Sequence, residues 1–384
     1  MAMAHTDELF GGADRYAPRR PACFSPERIV LARGSRWCAE HRALVDAICR
    51  LYPQASVWEC DDRAHNRVDL GSTELLELQR RGKATLVFAE HKSAMGLSQE
   101  NGNCCPNYWH FSPYGSCPYG CTYCYLAGSR GVFFSPTVKI FLNLRQMLDR
   151  IHLVAHQLGR PTGFYLGKLQ DGLALDPLTG YSRSMIRFFA NHLLARLIVL
   201  TKGADVENLL DLNHGGHTIL SWSLNPPEAS AAFECNVPSV ESRIAAMRKC
   251  AAVGYPVRAV IMPIIPVADW ESAYERFLRE LLSRVRLERI TLGGICSYPN
   301  ALRLTEAKMG LNHAITTGLG RPATKSIDGR ARYPADLRLR MYRHLMGVIR
   351  EIQPDVPVGL CLEEQAVFNA IGMTTAIGRC NCVI

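Results

Sequence analysis

Three cysteines stand within eight residues of one another, in the run Cys117-Pro118-Tyr119-Gly120-Cys121-Thr122-Tyr123-Cys124-Tyr125. The spacing is C-x3-C-x2-C, and Pro118 and Gly120 bend the segment so that three thiolates can face one centre. Thiolates are the ligands of iron–sulfur clusters. Three of them on a [4Fe–4S] cube leave the fourth iron open to a small molecule. Structural zinc instead uses four ligands in paired spacings such as C-x2-C…C-x2-C, and this run fits that pattern poorly. Two further thiol pairs lie apart from the motif. Cys104-Cys105 reads as local loop cysteines, because adjacent residues rarely aim both sulfurs at one metal. Cys380-Asn381-Cys382 lies at the C-terminus.

The elements that must position this chemistry are those of a globular α/β chain. Of 384 residues, 48% are hydrophobic and 21% charged, the balance of an ordinary folded protein. The N-terminal MAMAHTDELF has no basic stretch leading into an apolar run, and no apolar segment is long enough to span a bilayer. The expectation is a cytoplasmic protein that does not use a membrane, in which the fifteen cysteines stay reduced. The formal charge is +9, and only eight of the 44 basic residues are lysine. An anionic partner such as nucleic acid and an arginine-biased composition explain this equally well.

Residues 1–26 carry Gly11, Gly12, Pro18 and Pro21 without periodicity, and read as a flexible arm. Residues 27–95 alternate strand and helix patterns (ERIVLARG, WCAEHRALVDAICRLYP, ASVWECD, TELLELQRRGKA, TLVFAE) and form a small N-terminal α/β domain. Residues 105–384 form the main domain. Its expected strands are NYWHF, GFYLG, RLIVLT, TILSWSL, VRAVIMPII, RITLGGI and VPVGLCL. Its expected helices cover 143–157, 182–194, 204–212, 238–253, 270–285, 337–352 and 362–371. Repeated βα units imply parallel strands with right-handed crossovers. The fold class is therefore α/β, with a partial or complete (β/α) TIM-type barrel carrying its chemistry at the C-terminal strand ends.

The C-x3-C-x2-C run after a first barrel strand resembles that of radical S-adenosylmethionine (SAM) enzymes, in which SAM takes the open iron. The resemblance continues in CTYCYLAGSRGV, VKIFLNLRQML, DGLALDPLTG, LIVLTKGADVENLLDLNHGGHT, SWSLNPPE and VPSVESRIAAMRKCAAVGYPV. These segments, with His65-Asn66-Arg67-Val68 and AEHKSAMG, are similar and collinear to the spore photoproduct lyase family over residues 27–275, and the likeness fades after about 290. It implies a radical SAM partial barrel and two cofactors, a [4Fe–4S] cluster on Cys117, Cys121 and Cys124, and SAM. The implied reaction is repair of 5-thyminyl-5,6-dihydrothymine in DNA. Reductive cleavage of SAM gives a 5′-deoxyadenosyl radical, which takes hydrogen from C6 of the lesion. The methylene bridge then breaks, and a cysteine returns a hydrogen atom. The implied partners are damaged DNA and an electron donor such as a flavodoxin or ferredoxin.

By the same resemblance Lys202 would approach the SAM carboxylate, while Ser223 and Asn225 would hydrogen-bond SAM. A surface lysine, and turn chemistry before Pro226-Pro227, are the plain readings of these residues. Tyr125 would help relay the hydrogen atom, and Tyr123 is read either with it or as packing around the cluster. One departure stands out. The family's hydrogen-donating cysteine is missing from Gly163–Asp171, and Lys168 falls at or near its place. Cys380 or Cys382 is the expected replacement, on a tail folded over the active site. The arginine-rich stretch 321–350 (Arg321, Lys325, Arg330, Arg332, Arg338, Arg340, Arg343, Arg350) reads either as phosphate contacts or as a solvated helix face. The missing thiol and the divergent final third leave a nucleoside, nucleotide or other small-molecule substrate as the alternative. From another class comes a non-catalytic iron–sulfur or zinc protein that binds nucleic acid.

Overall fold

Long apolar runs dictate the architecture. Strands such as Ala195–Thr201 are apolar almost without interruption, as parallel strands covered on both faces must be. Helices such as Leu144–Leu158 bury one stripe, Leu144, Met147, Leu148, Ile151, Val154 and Ala155. The computed structural model describes residues 16–320 and 322–384.

Eight strands make the large sheet, in the order β12-β11-β10-β9-β8-β7-β5-β4. They are β4 Met95–Ser98, β5 Tyr108–Phe111, β7 Thr162–Leu166, β8 Ala195–Thr201, β9 Thr218–Ser223, β10 Val257–Ile261, β11 Arg289–Leu292 and β12 Val358–Leu360. From β5 to β12 every neighbouring pair is parallel, and β4 adds an antiparallel edge. This is the expected open (β/α) barrel. Strand pairing does not close it. The backbone N–H of Cys104 bridges the seam to the Glu363 carbonyl at 2.8 Å.

The small sheet runs β2 Ser56–Cys60, β1 Arg28–Ala32, β3 Thr85–Ala89 and β6 Val138–Phe141, then the short piece Tyr114–Gly115. Its fourth strand comes from beyond the cysteine motif, while β4 belongs to the barrel. The two units thus exchange strands, where the sequence suggested a simple break near residue 95. The motif loop leaves Tyr114–Gly115 and returns to β6, its antiparallel partner in the small sheet.

The expected flexible arm is only partly described, because residues 1–15 lie outside the described residues. The remainder is docked on the barrel. Tyr16 donates to the Pro177 carbonyl at 2.8 Å, Arg19 binds Asp205 at 2.6 Å, and Phe24 is buried. These anchors outweigh the local glycine and proline content. The helix expected over 204–212 is a single 3-10 turn, Glu207–Leu209. Asn208 there spends its amide on Asp176 at 2.7 Å, the competition with helix that asparagine often brings. In the last third, helices Pro299–Met309 and Ala314–Leu319 were not anticipated. No helix among the described residues is long and apolar enough to cross a membrane.

Candidate active site

The motif follows β5 and is pinned from three sides. Gly120–Cys121 pairs antiparallel with Glu234–Cys235. The Thr122 N–H donates to the Phe233 carbonyl at 2.9 Å, and its own carbonyl accepts from Thr305 at 2.8 Å. Lys83, at the end of helix Leu75–Lys83, donates its amine to the Cys117 carbonyl. Gly128 packs against the Ala301 backbone so tightly that a side chain would collide with it. All three cysteines remain partly accessible. Their sulfurs are not among the sets drawn within 4.8 Å of one another, the closeness that ligands of one ion require. A cube that gives each thiolate its own iron suits them better. Burial pushes the Cys117 thiol well up and the Cys121 thiol up to about 12, with Lys202 pulling the latter back. Iron binding reverses that balance by taking the thiolate and releasing the proton.

Lys202 sits just past the end of β8. Its backbone N–H donates to Asp171 Oδ2 at 2.6 Å, and Asp171 Oδ1 accepts from Thr201 at 2.6 Å. The ammonium therefore leaves the strand end in a fixed direction. It donates to Ser223 Oγ at 2.5 Å and lies 3.1 Å from Glu234 Oε1. Glu234 is fully enclosed. It also takes Arg243 at 2.5 Å, Ser230 at 2.9 Å and the Tyr123 hydroxyl. Burial pushes the Glu234 carboxyl up, but Lys202, Arg243 and the Tyr123 hydrogen bond pull harder and hold it well below the usual carboxylate range. Arg243 alone already balances Glu234, and Asp171 holds only the Lys202 backbone, so the Lys202 ammonium is the cation presented at the strand ends. An incoming carboxylate fits that charge.

Asn225 lies two residues past β9, wholly buried. Its Oδ1 accepts from Tyr274 at 2.7 Å, while its Nδ2 has no partner. A buried donor left unpaired is costly unless a ligand satisfies it. Lys202, Ser223 and Asn225 are thus brought to one end of neighbouring strands. Tyr123 is buried and turned to Glu234, so it shapes the charge network rather than the open side. Tyr125 is exposed, and its hydroxyl donates to the Lys168 carbonyl at 2.7 Å. The Lys168 amine is drawn to Ser98 and lies 3.6 Å from Glu100.

The C-terminal tail does not cross the mouth. It enters the barrel, where Ser221 donates to Asn381 Oδ1 at 2.8 Å and Arg289 donates to the Cys380 carbonyl at 2.8 Å. Arg258 donates to the Val383 carbonyl at 2.7 Å. Cys380 and Cys382 are buried with Tyr108, Tyr165, Ile198 and Ile219. Ser221 precedes Ser223 by two residues on the same face of β9, so the tail forms a floor roughly 7 Å beneath the strand-end serine. The thiols thus approach from inside the barrel rather than on a flap over it, with Cys382 close enough to Tyr125 to act on its hydroxyl electrostatically.

The family model for spore photoproduct lyase matches residues 39–292. The chain belongs to the spore photoproduct lyase family. Spore photoproduct lyase of Bacillus subtilis strain 168 is 28% identical over 221 residues, covering 57% of this chain and 63% of that one. The Geobacillus sp. strain Y412MC61 protein is 29% identical over 222 residues, with the same shares. The aligned part is thus under two-thirds of those relatives' own length. A solved spore photoproduct lyase complexed with dinucleoside spore photoproduct superposes with a TM-score of 0.76 at 22% identity, covering 89% of this chain and 100% of that one. Another, with bound AdoMet and dinucleoside spore photoproduct, gives 0.74 at 22%, covering 88% and 99%. These structures establish the fold. A spore photoproduct lyase implies a cluster and SAM, and the three motif cysteines, the Lys202 ammonium and the orphaned Asn225 amide fit both.

Sequence reasoning missed Asp171, Glu234 and Arg243. Asp171 was detectable as an Asp-Gly following a strand. Glu234 and Arg243 gave no local signal. The arginines of 330–350 are largely spent inside the fold. Arg330 pairs with Asp328 and Glu100, Arg338 with Glu363, and Arg340 with Glu271. Arg332 and Arg338 are buried, and Arg343 and Arg350 bind backbone carbonyls. Arg321 lies outside the described residues. The phosphate-contact reading thus loses the buried Arg330, Arg332 and Arg338 and retains the exposed Lys325, Arg340, Arg343 and Arg350.

Proposed function

We propose that this chain is a radical SAM lyase that repairs the thymine-dimer lesion 5-thyminyl-5,6-dihydrothymine in DNA. Cys117, Cys121 and Cys124 hold a [4Fe–4S] cluster, and Lys202, Ser223 and Asn225 hold SAM. The observation that carries this reading is the Lys202 ammonium, fixed at a strand end beside a three-cysteine loop, in a chain of this family. When bound, cluster and SAM together supply a radical able to abstract hydrogen at the barrel mouth. The chain's own residues orient and protect. Lys202, steered by Asp171 and Glu234, receives the SAM carboxylate. The Asn225 amide satisfies a second acceptor. Tyr123 keeps Glu234 in place.

Tyr125 is the hydrogen-bearing side chain bonded at Lys168, the residue that replaces the family's thiol, so we assign the final hydrogen transfer to it. A lesion reaches this depth only outside the base stack, and a damaged site pays less to leave it. The electron comes from a flavodoxin or ferredoxin, for which Lys83 and Lys308 beside the motif loop offer basic contacts. All fifteen cysteines are free, which supports a reducing, cytoplasmic setting.

A nucleoside or nucleotide substrate is the second reading. It is favoured by the internal use of arginines that could otherwise meet DNA phosphates. One assay separates the two. Anaerobically purified protein should contain about four irons per chain for one such cluster. With SAM and reductant, it should convert the lesion in irradiated DNA to thymine. Changing Cys117, Cys121 and Cys124 to alanine should remove both iron and conversion. SAM cleavage that responds to free nucleotides and never to lesion-bearing DNA would overturn the repair assignment.

A further inference from the structure

Three cysteines outside the motif converge inside the barrel, and a fourth, Cys382, adjoins one of them. Cys105 precedes the first parallel strand, Cys361 follows the last, and Cys380 and Cys382 come from the tail. The sulfurs of Cys105, Cys361 and Cys380 all lie within 4.8 Å of one another. Cys380 Sγ is 4.0 Å from Cys361 Sγ and 3.8 Å from Cys382 Sγ. Zinc–sulfur bonds of about 2.3 Å put tetrahedral sulfurs about 3.8 Å apart. The motif cysteines show no such convergence.

Backbone geometry and hydrogen bonds hold these cysteines in place. The Leu362 N–H donates to Cys105 Sγ at 3.2 Å. Leu362 holds φ at 55°, a left-handed conformation that bulky residues rarely adopt and that persists only where the surroundings enforce it. Arg289 places a guanidinium beside Cys380. Gly359 on β12 leaves the Arg379 backbone room to pass, and any side chain there would strike the Arg379 carbonyl. The tail is thus threaded deliberately to the seam that strand pairing leaves open.

We propose that Cys105, Cys361, Cys380 and Cys382 bind a single Zn2+ that ties the C-terminal tail into the barrel and closes the seam between the β4–β5 edge and the last parallel strand. The site is structural: all four positions are protein thiolates, and no open position remains. It stands apart from the reading of the active site and survives the failure of that reading.

The test uses the full chain, expressed with zinc supplied. Elemental analysis should find one zinc per chain beside the cluster iron. The Cys117→Ala, Cys121→Ala, Cys124→Ala variant should lose its iron and keep that zinc. The Cys361→Ser, Cys380→Ser variant should lose the zinc and keep its iron. Should that variant fail to fold, zinc-edge X-ray absorption on the cluster-free triple variant still decides, with an all-sulfur first shell at about 2.3 Å expected. Cobalt in place of zinc should give the strong red-region bands of a tetrahedral tetrathiolate. Absence of zinc from protein grown with it, a shell of nitrogen and oxygen, or a Cys380–Cys382 disulfide in the purified protein would each overturn the proposal.

Discussion

Removing the Lys202 ammonium tests whether the charge at the strand ends serves a ligand or merely the fold. In Lys202→Ala, Glu234 keeps Arg243 at 2.5 Å, Ser230 at 2.9 Å and the Tyr123 hydroxyl. Glu234 keeps those partners but loses the cation that lowers its carboxyl most, so the stability cost is that of a hydrogen bond to a charged group, about 1.5–3 kcal/mol. In a chain of this size that shifts Tm by about 2–4 °C. Arg243→Ala behaves differently. Arg243 is fully buried and also donates to the Ser223 carbonyl at 3.2 Å. Breaking a buried pair in this way costs about 3–5 kcal/mol. For SAM the ranking reverses. A charge-assisted hydrogen bond is worth about 1.5–3 kcal/mol, so Lys202→Ala should weaken SAM binding by about 10–100-fold. The assay is equilibrium dialysis of SAM with reconstituted protein, alongside thermal melts of both variants. Unchanged SAM affinity in Lys202→Ala would refute the reasoning. So would a fall in Tm as large as that of Arg243→Ala.

Glu234→Gln should destabilise the protein at neutral pH. The wild-type carboxyl is held below its ordinary value, so its stabilisation is complete above about pH 4.3 and fades as pH falls further; melts of both proteins should converge in acid and stay apart above pH 5. Tyr125→Phe should leave SAM cleavage in place while the lesion is consumed without clean thymine, as read by chromatography of the products; full thymine yield would move the last hydrogen transfer elsewhere. Asn381→Ala leaves the Ser221 hydroxyl buried and unpaired, at a cost of about 1–3 kcal/mol by denaturant titration; an unchanged midpoint would show that the tail is not packed against β9.

Much of the barrel was legible because buried parallel strands are written as unbroken apolar runs. RLIVLT, TILSWSL and VPVGLCL therefore announced themselves. The motif cysteines were legible from spacing alone, and Lys202 from a likeness carried by LTKGAD. Glu234 was not legible. It lies 111 residues beyond Tyr123, and only the pairing of Glu234–Cys235 with Gly120–Cys121 brings it to the site. The crossing of β6 into the small sheet was hidden for the same reason, since an apolar run does not name its neighbour. The tail misled in a specific way. It was expected to fold over the active site, but Ser221, Arg258 and Arg289 line the inner faces of β9, β10 and β11 and draw it inside. The arginines of 330–350 misled through composition, which counts charge without showing its partners.

The central claim is that this chain abstracts hydrogen from the thymine-dimer lesion. The most direct measurement uses a lesion carrying deuterium at C6, incubated anaerobically with reconstituted protein, SAM and reductant. Mass spectrometry should find the deuterium in 5′-deoxyadenosine or in SAM, together with two thymines from each lesion consumed. Unlabelled 5′-deoxyadenosine formed at the same rate with and without the lesion, and no thymine, would contradict the account.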